Sequence, residues 1–114
     1  MKNVYSMIGF AQKAGKTSSG ALAAKTSILR RRAHLLIISN DVAENTKTSL
    51  IASSEKQKIP WIELGDKYKL GACVGKAYRV AVTINDPGMA ETIIDTVTAK
   101  GEELKTMGVV EWPK

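Results

Sequence analysis

The 114-residue sequence holds one cysteine, one histidine and one phenylalanine. A single thiol, Cys73, excludes an intrachain disulfide, and His34 as the lone imidazole leaves no ligand set for a metal. No apolar run is long, since the strongest, Leu35 to Ile38, falls far short of the roughly 20 residues that cross a bilayer. A secretory leader, with its apolar stretch and small-residue cleavage site, is missing from the N-terminus. These absences predict a cytoplasmic, metal-free and cofactor-free chain with no membrane and no small-molecule substrate. Acidic residues are also missing from Met1 to Asn40, where Lys2, Lys13, Lys16, Lys25, Arg30, Arg31 and Arg32 stand unopposed. The first forty residues carry a formal +7 and the rest −1, which together make the net +6. An unopposed basic segment is the electrostatic footprint of a nucleic-acid partner.

What is present is ordinary for a globular domain, with 44% hydrophobic and 25% charged residues. The chain divides into one domain over 1–101 and a tail over 102–114, with no repeat or linker. Val4, Met7, Ile8, Ala11 and Ala14 recur at helical spacing, with Asn3 as cap and Gly15 as exit. A second helix starts near Gly20, with Leu22, Ala24, Ile28 and Leu29 as its apolar stripe. Leu35 to Ile38 reads as a strand buried on both faces. Asp41 with Glu44 has the spacing of a capping box for a helix reaching about Lys58. Trp61 to Leu64 is a second strand, Asp66 caps a short helix through Leu70 to Val74, and Tyr78 to Ile84 is a third strand. Asp86-Pro87 opens a last helix through Met89, Ile93, Ile94 and Val97 to Lys100, stopped by Gly101. Val109, Val110 and Trp112 in the tail are candidates to dock on the body. The alternation predicts an α/β sandwich.

The segment between the first two helices is the sharpest candidate site. Gly15, Lys16, Thr17, Ser18, Ser19 and Gly20 read as a short turn offering a lysine, three hydroxyls and two glycines to a phosphate. Ala21, Leu22, Ala23, Lys25 and Thr26 continue it into the helix, and Arg30 to Arg32 extend the charge, although cations at a helix C-terminus also simply satisfy its dipole. A second candidate is Lys76, Ala77, Tyr78 and Arg79, two cations around an aromatic, suited to phosphate contact and base stacking. A phosphate loop of the nucleotide-hydrolase kind is excluded by spacing. Its first glycine would fall at Phe10, and it must follow a strand rather than a helix. His34 and Cys73 have no local feature that makes them a base and nucleophile, and Cys73 suits simple packing. No catalytic constellation remains, so the chain is not expected to be an enzyme.

Gly9-Phe10-Ala11-Gln12-Lys13-Ala14-Gly15-Lys16, Gly20, Leu36-Ile37-Ile38-Ser39-Asn40-Asp41, Glu44-Asn45-Thr46, Ile59-Pro60, Leu70-Gly71 and Gly75-Lys76 together resemble the kink-turn-binding ribosomal protein superfamily, in its bacterial YlxQ-type branch. The resemblance spans about residues 3–98. It implies a three-layer α/β/α sandwich with a central mixed sheet of about four strands. It further implies RNA binding at the start of the second helix, Lys16 to Thr26 here, and at the loop before the last strand, Lys76 to Arg79. In the family this segment reads Gly-Thr-Asn-Glu with a Lys three residues after the Glu, and the Asn, Glu and Lys contact the sheared G·A pairs of a kink-turn. Here Leu22, Ala23 and Thr26 stand at the Asn, Glu and Lys positions, so phosphate-contacting groups remain while base-edge contacts are replaced. The resemblance implies a non-enzymatic, ribosome-associated protein that binds structured RNA, ribosomal RNA above all. The alternative is a protein-interaction module with Ala21, Leu22 and Ala23 as an apolar patch.

Overall fold

The computed structural model describes residues 3–99. In chain order come α1 (Val4–Lys13), β1 (Thr17–Ser19), α2 (Ala21–Leu29), β2 (Leu35–Ile38), α3 (Glu44–Lys56), β3 (Trp61–Glu63), α4 (Lys67–Cys73), β4 (Ala81–Ile84) and α5 (Pro87–Ala99). Three helices start at side-chain caps of the kind the sequence announces. Asn3 Oδ1 accepts from the Ser6 N–H at 2.9 Å, Asp66 Oδ1 from the Tyr68 and Lys69 N–H groups, and Asp86 Oδ2 from the Met89 N–H. Each such bond satisfies a donor that the first helical turn leaves without an intrahelical partner.

The strands pair in the order β1-β4-β2-β3, with β2 and β3 parallel and β4 antiparallel to both of its neighbours. Alternation along the strands splits the core in two. Leu35, Ile37, Ile62, Val82 and Ile84 pack with Ile8 of α1, Leu70 of α4 and Ile93 of α5. Leu36, Ile38 and Ala81 pack on the other face with Ala24 and Ile28 of α2 and Leu50 of α3. All four residues of β2 are buried, as its unbroken apolar run requires in a sheet covered on both sides. The result is the three-layer α/β/α sandwich with a mixed four-stranded sheet.

Several local expectations are corrected. The turn expected between the first two helices is the edge strand β1, which pairs Thr17, Ser18 and Ser19 with Ile84, Thr83 and Val82. The capping box does not form. Ala43 caps α3 without a side-chain bond, while Asp41 Oδ1 accepts from the Lys67 N–H at 3.1 Å. Strands β2 and β3 run parallel, so the loop holding Asp41 and the start of α4 emerge side by side. Helix α3 ends at Lys56 and leaves Lys58 outside it, with φ 60°. The third expected strand is shortened to Ala81–Ile84, because the residues before it lie on α4. The expected stop at Gly101 and the docking of Val109, Val110 and Trp112 lie outside the described residues.

The sheet has two poles that the rest of the molecule is arranged around. At the first, beyond the C-terminal ends of β2 and β3, the Gly20 N–H donates to the Ala81 carbonyl at 2.8 Å. At the second, the His34 N–H donates to the Ile84 carbonyl at 2.8 Å and the Asn85 N–H to that of Lys16 at 2.7 Å.

Candidate nucleic-acid interface

Gly20 ends β1 and caps α2 with φ 101°, a conformation that L side chains rarely adopt. No side chain caps α2, so the first-turn N–H groups of Ala21, Leu22 and Ala23 open the positive end of the helix to the first pole. Arg79 lies across this opening. Its Nε donates to Ser19 Oγ at 3.4 Å, and a Cβ placed on Gly20 would stand 3.8 Å from its Cδ and Nε. Nη1 of the same guanidinium donates to the Tyr78 carbonyl at 2.8 Å, which holds the side chain back along its own loop.

Helix α4 shapes that loop. The Lys76 N–H donates to the Gly71 carbonyl and the Arg79 N–H to that of Lys67, both at 2.9 Å. Gly71 is a close-approach position, since a Cβ there would meet Tyr78 Cα at 2.5 Å. The loop therefore lies directly on the helix. Lys76 and Ala77 are exposed, and Tyr78 keeps 55% of its surface open. Lys67 Nζ sits 5.7 Å from the Tyr78 ring centroid and 5.4 Å from that of Tyr68, placing a cation between two exposed aromatics. Lys67 and Tyr68 were not among the sequence candidates. Their signal was the Lys-Tyr-Lys run that follows the Asp66 cap.

The sequence candidates divide between the poles. Gly20, Ala21, Leu22, Ala23 and Ser19 gather with Lys76 to Arg79 at the first. Lys25 Nζ donates to Ser49 Oγ on α3 at 2.8 Å, and Thr26 is exposed. Lys16 and Arg30 stand at the second pole, and Gly15 leads into Lys16 there, so Gly15 to Gly20 do not form one phosphate cradle. The hydroxyls are also engaged: Thr17 donates to Gln12, Ser18 Oγ accepts from Asn85 Nδ2 at 3.0 Å, and Ser19 accepts from Arg79.

Helix α2 corrects its expected stripe. Leu22 and Leu29 point outward, with Leu22 81% exposed, and the buried face is Ala24, Ser27 and Ile28. Ser27 fits there because its hydroxyl donates to Asn85 Oδ1 at 2.8 Å, an oxygen that also accepts from Thr83 Oγ1 at 3.0 Å. Cys73 packs against the core, donates from Sγ to the Lys69 carbonyl at 3.3 Å, and burial pushes its thiol pKa up, away from nucleophilic use. Among the described residues no group of three or more His, Cys, Asp or Glu could hold a metal, and no helix is long and apolar enough to cross a membrane.

Comparison with known proteins bears on this arrangement. Residues 2–94 match the Ribosomal protein L7Ae/L30e/S12e/Gadd45 family. The RNA-binding protein YlxQ of Bacillus subtilis is 29% identical over 79% of this chain and 90% of its own. The protein of the same name from Enterococcus faecium is 31% identical over 75% and 82%. Among solved structures, a Bacillus halodurans protein described as of unknown function superposes with a TM-score of 0.81 at 23% identity, covering 86% of this chain and 99% of its own. The Giardia lamblia 15.5kD RNA binding protein does so with 0.70 at 20% identity, covering 86% and 83%. At that identity both structures establish the fold alone.

Proposed function

The chain belongs to the Ribosomal protein L7Ae/L30e/S12e/Gadd45 family, and from that premise we propose that it is a non-enzymatic protein binding structured RNA at the first pole. The observation that carries the proposal is the uncapped start of α2 at Gly20, with Arg79 folded across it and Lys76 and Tyr78 exposed alongside. Backbone N–H groups of Ala21 to Ala23 and the Arg79 guanidinium suit phosphate oxygens, and Tyr78 offers a stacking face to an unpaired base. Two relatives carry the name RNA-binding protein, which supports the partner class. The RNA is of kink-turn type within ribosomal RNA, in the cytoplasm. Leu22 and Ala23 bring no polar group to a base edge, so discrimination falls on backbone shape and phosphate spacing.

The test is a titration of the protein against a kink-turn RNA and a plain duplex of equal length at two salt concentrations. Tighter binding of the kink-turn at both is expected. Arg79→Ala should weaken binding and flatten the dependence of log affinity on log salt by roughly 0.7–0.9, the share of one phosphate contact. Equal affinity for both RNAs would remove the kink-turn, and no affinity for either would remove the proposal.

Leu22 supports a second reading, a docking site for a protein partner, because so large an apolar side chain is left 81% exposed beside the α3 residues Asn45, Thr46 and Ser49. Leu22→Glu separates the two. A carboxylate in the first helical turn stabilises α2 by about 0.3–1 kcal/mol through the dipole, so the fold persists while RNA binding falls and remains salt-dependent. Loss of a salt-insensitive protein complex in the same variant would favour the second reading.

A further inference from the structure

The second pole carries a cationic pocket that the proposed RNA surface does not use. A cavity of about 380 Å³ opens among Arg31, His34, Gln57, Lys58, Pro60 and Pro87, and no acidic residue lines it. Among the described residues the ion pair between side chains is that of Lys47 with Glu63, at the other end of β3, so Arg31 and Lys58 have no carboxylate partner. Both are also the two residues other than glycine with positive φ in the described chain, at 61° and 60°. They occupy the same structural position, one residue past the C-caps of α2 and α3. Glycine is the common residue at that position because it adopts a left-handed backbone without a Cβ clash. Helix termination explains the backbone shape, and a cation there also satisfies the helix dipole, but neither explains why the two cations converge on one cavity that no acidic residue lines. Backbone held in a sparsely populated region in this way is a pointer to function.

The ends of α2 and α3 bring about half a negative charge each, whereas Arg31 and Lys58 in the lining bring two positive ones, so the lining keeps a cationic surplus. The lining also has an apolar part, Ala33, Ile59, Pro60 and Pro87, and His34 beside it is exposed. The volume lies at the small end of ligand pockets, roughly 300–1,000 Å³. It suits one nucleotide unit, with phosphate on the cations and sugar or base against the imidazole and prolines.

We infer that the Arg31–His34–Lys58 pocket is a second RNA contact that seats the phosphate and sugar of a strand leaving the site at the first pole, so that one RNA is held at both ends of the sheet. The inference rests on the proposed RNA binding and adds a second point of attachment to it. The β2 strand between the poles has four residues, about 13 Å of extended chain, a span that the helix flanking a bound motif covers readily.

The test uses Arg31→Gly combined with Lys58→Gly, which removes both cations and gives each position the residue its backbone favours, so the melting temperature should hold or rise. Two RNAs are compared: a kink-turn with a flanking helix extended by one turn, and the same motif trimmed close to its core. With the extended RNA the double variant should flatten the log–log salt slope by roughly 1.4–1.8, two contacts' worth. With the trimmed RNA it should match the wild type. Unchanged affinity and slope with the extended RNA, while Arg79→Ala still weakens binding, would overturn the second contact and leave the first standing. A wild type that binds neither RNA would overturn both. Adenosine monophosphate serves as a control: saturation of the pocket by the free nucleotide at concentrations matching the extended RNA's affinity would make it a mononucleotide site and overturn the two-point attachment.

Discussion

Single residues decide whether the first pole exists. Gly71 is the clearest case, because the loop that presents Lys76, Tyr78 and Arg79 rests on its missing side chain. An added methyl would meet backbone atoms of Tyr78 at 2.5 to 2.8 Å, and backbone cannot swing aside as a side-chain tip can. Gly71→Ala should therefore cost about 1–3 kcal/mol, the usual range for overpacking. It should also push the loop away from Gly20, so RNA affinity falls further than Arg79→Ala alone would make it. Urea unfolding and an RNA titration of one preparation check both halves. A stable variant with unchanged affinity would mean that the loop relaxes without losing its function.

At the scale of elements, two polar links reinforce contacts that hydrophobic packing already makes. Asn85 ties α2, β1 and β4 through Ser27, Ser18 and Thr83. Asn85→Ala leaves three hydroxyls short of a partner and should destabilise the fold by about 1–3 kcal/mol in urea unfolding. The second link is Lys47 of α3 to Glu63 of β3, at 2.7 Å. Its hydrogen bond and charge attraction to Glu63 raise the Lys47 pKa above the usual 10.5. A raised amine pKa contributes stability that is fully present below the unfolded value and is lost as pH rises through the folded one. The stability difference between the wild type and Lys47→Met should thus be constant near neutrality and shrink above about pH 10.5. A difference that persists to higher pH would assign it to packing instead.

Legibility in the sequence follows the same division. Helices α1, α4 and α5 were readable because each has a cap and a chemical start, and β2 because four apolar residues in a row have no other home. Strand β1 was not. Thr17-Ser18-Ser19 has no apolar member, and these residues are a strand only because β4 supplies its ladder. Its omission displaced the site, since a turn would have put Lys16 beside Gly20 and a strand sends them to opposite poles. The same blind spot hid the inward face of α2, where Ser27 is buried for a partner 58 positions away. Charge was legible residue by residue, but which cations share a surface was set by the sheet.

Across the whole molecule, the basic N-terminal third is not one patch. The fold distributes it, with the α2 N-terminus and Lys25 toward the first pole and Lys16 and Arg30 to Arg32 toward the second. Acidic residues are interleaved with these cations, as with Glu63 against Lys47 at the end of β3. A surface with cations at both ends of a short sheet engages a bent polyanion more readily than a straight one, because a bend brings two strand segments within reach at once.

The edge position of β1 also sets an order in time. Among the described residues its only ladder partner is β4, and the Gly20–Arg79 contact joins residues on either side of nearly the whole sheet. On the ribosome that makes the protein, α1, β1 and α2 emerge long before the strand they depend on. β2 and β3 can pair with each other earlier, because their crossover is complete once residue 63 is out. A nascent chain ending before residue 79 consequently has the cations but not the geometry, and it attracts RNA only as any basic polymer does. The proposed site is complete only late in synthesis, when β4 threads between β1 and β2 and closes the sheet.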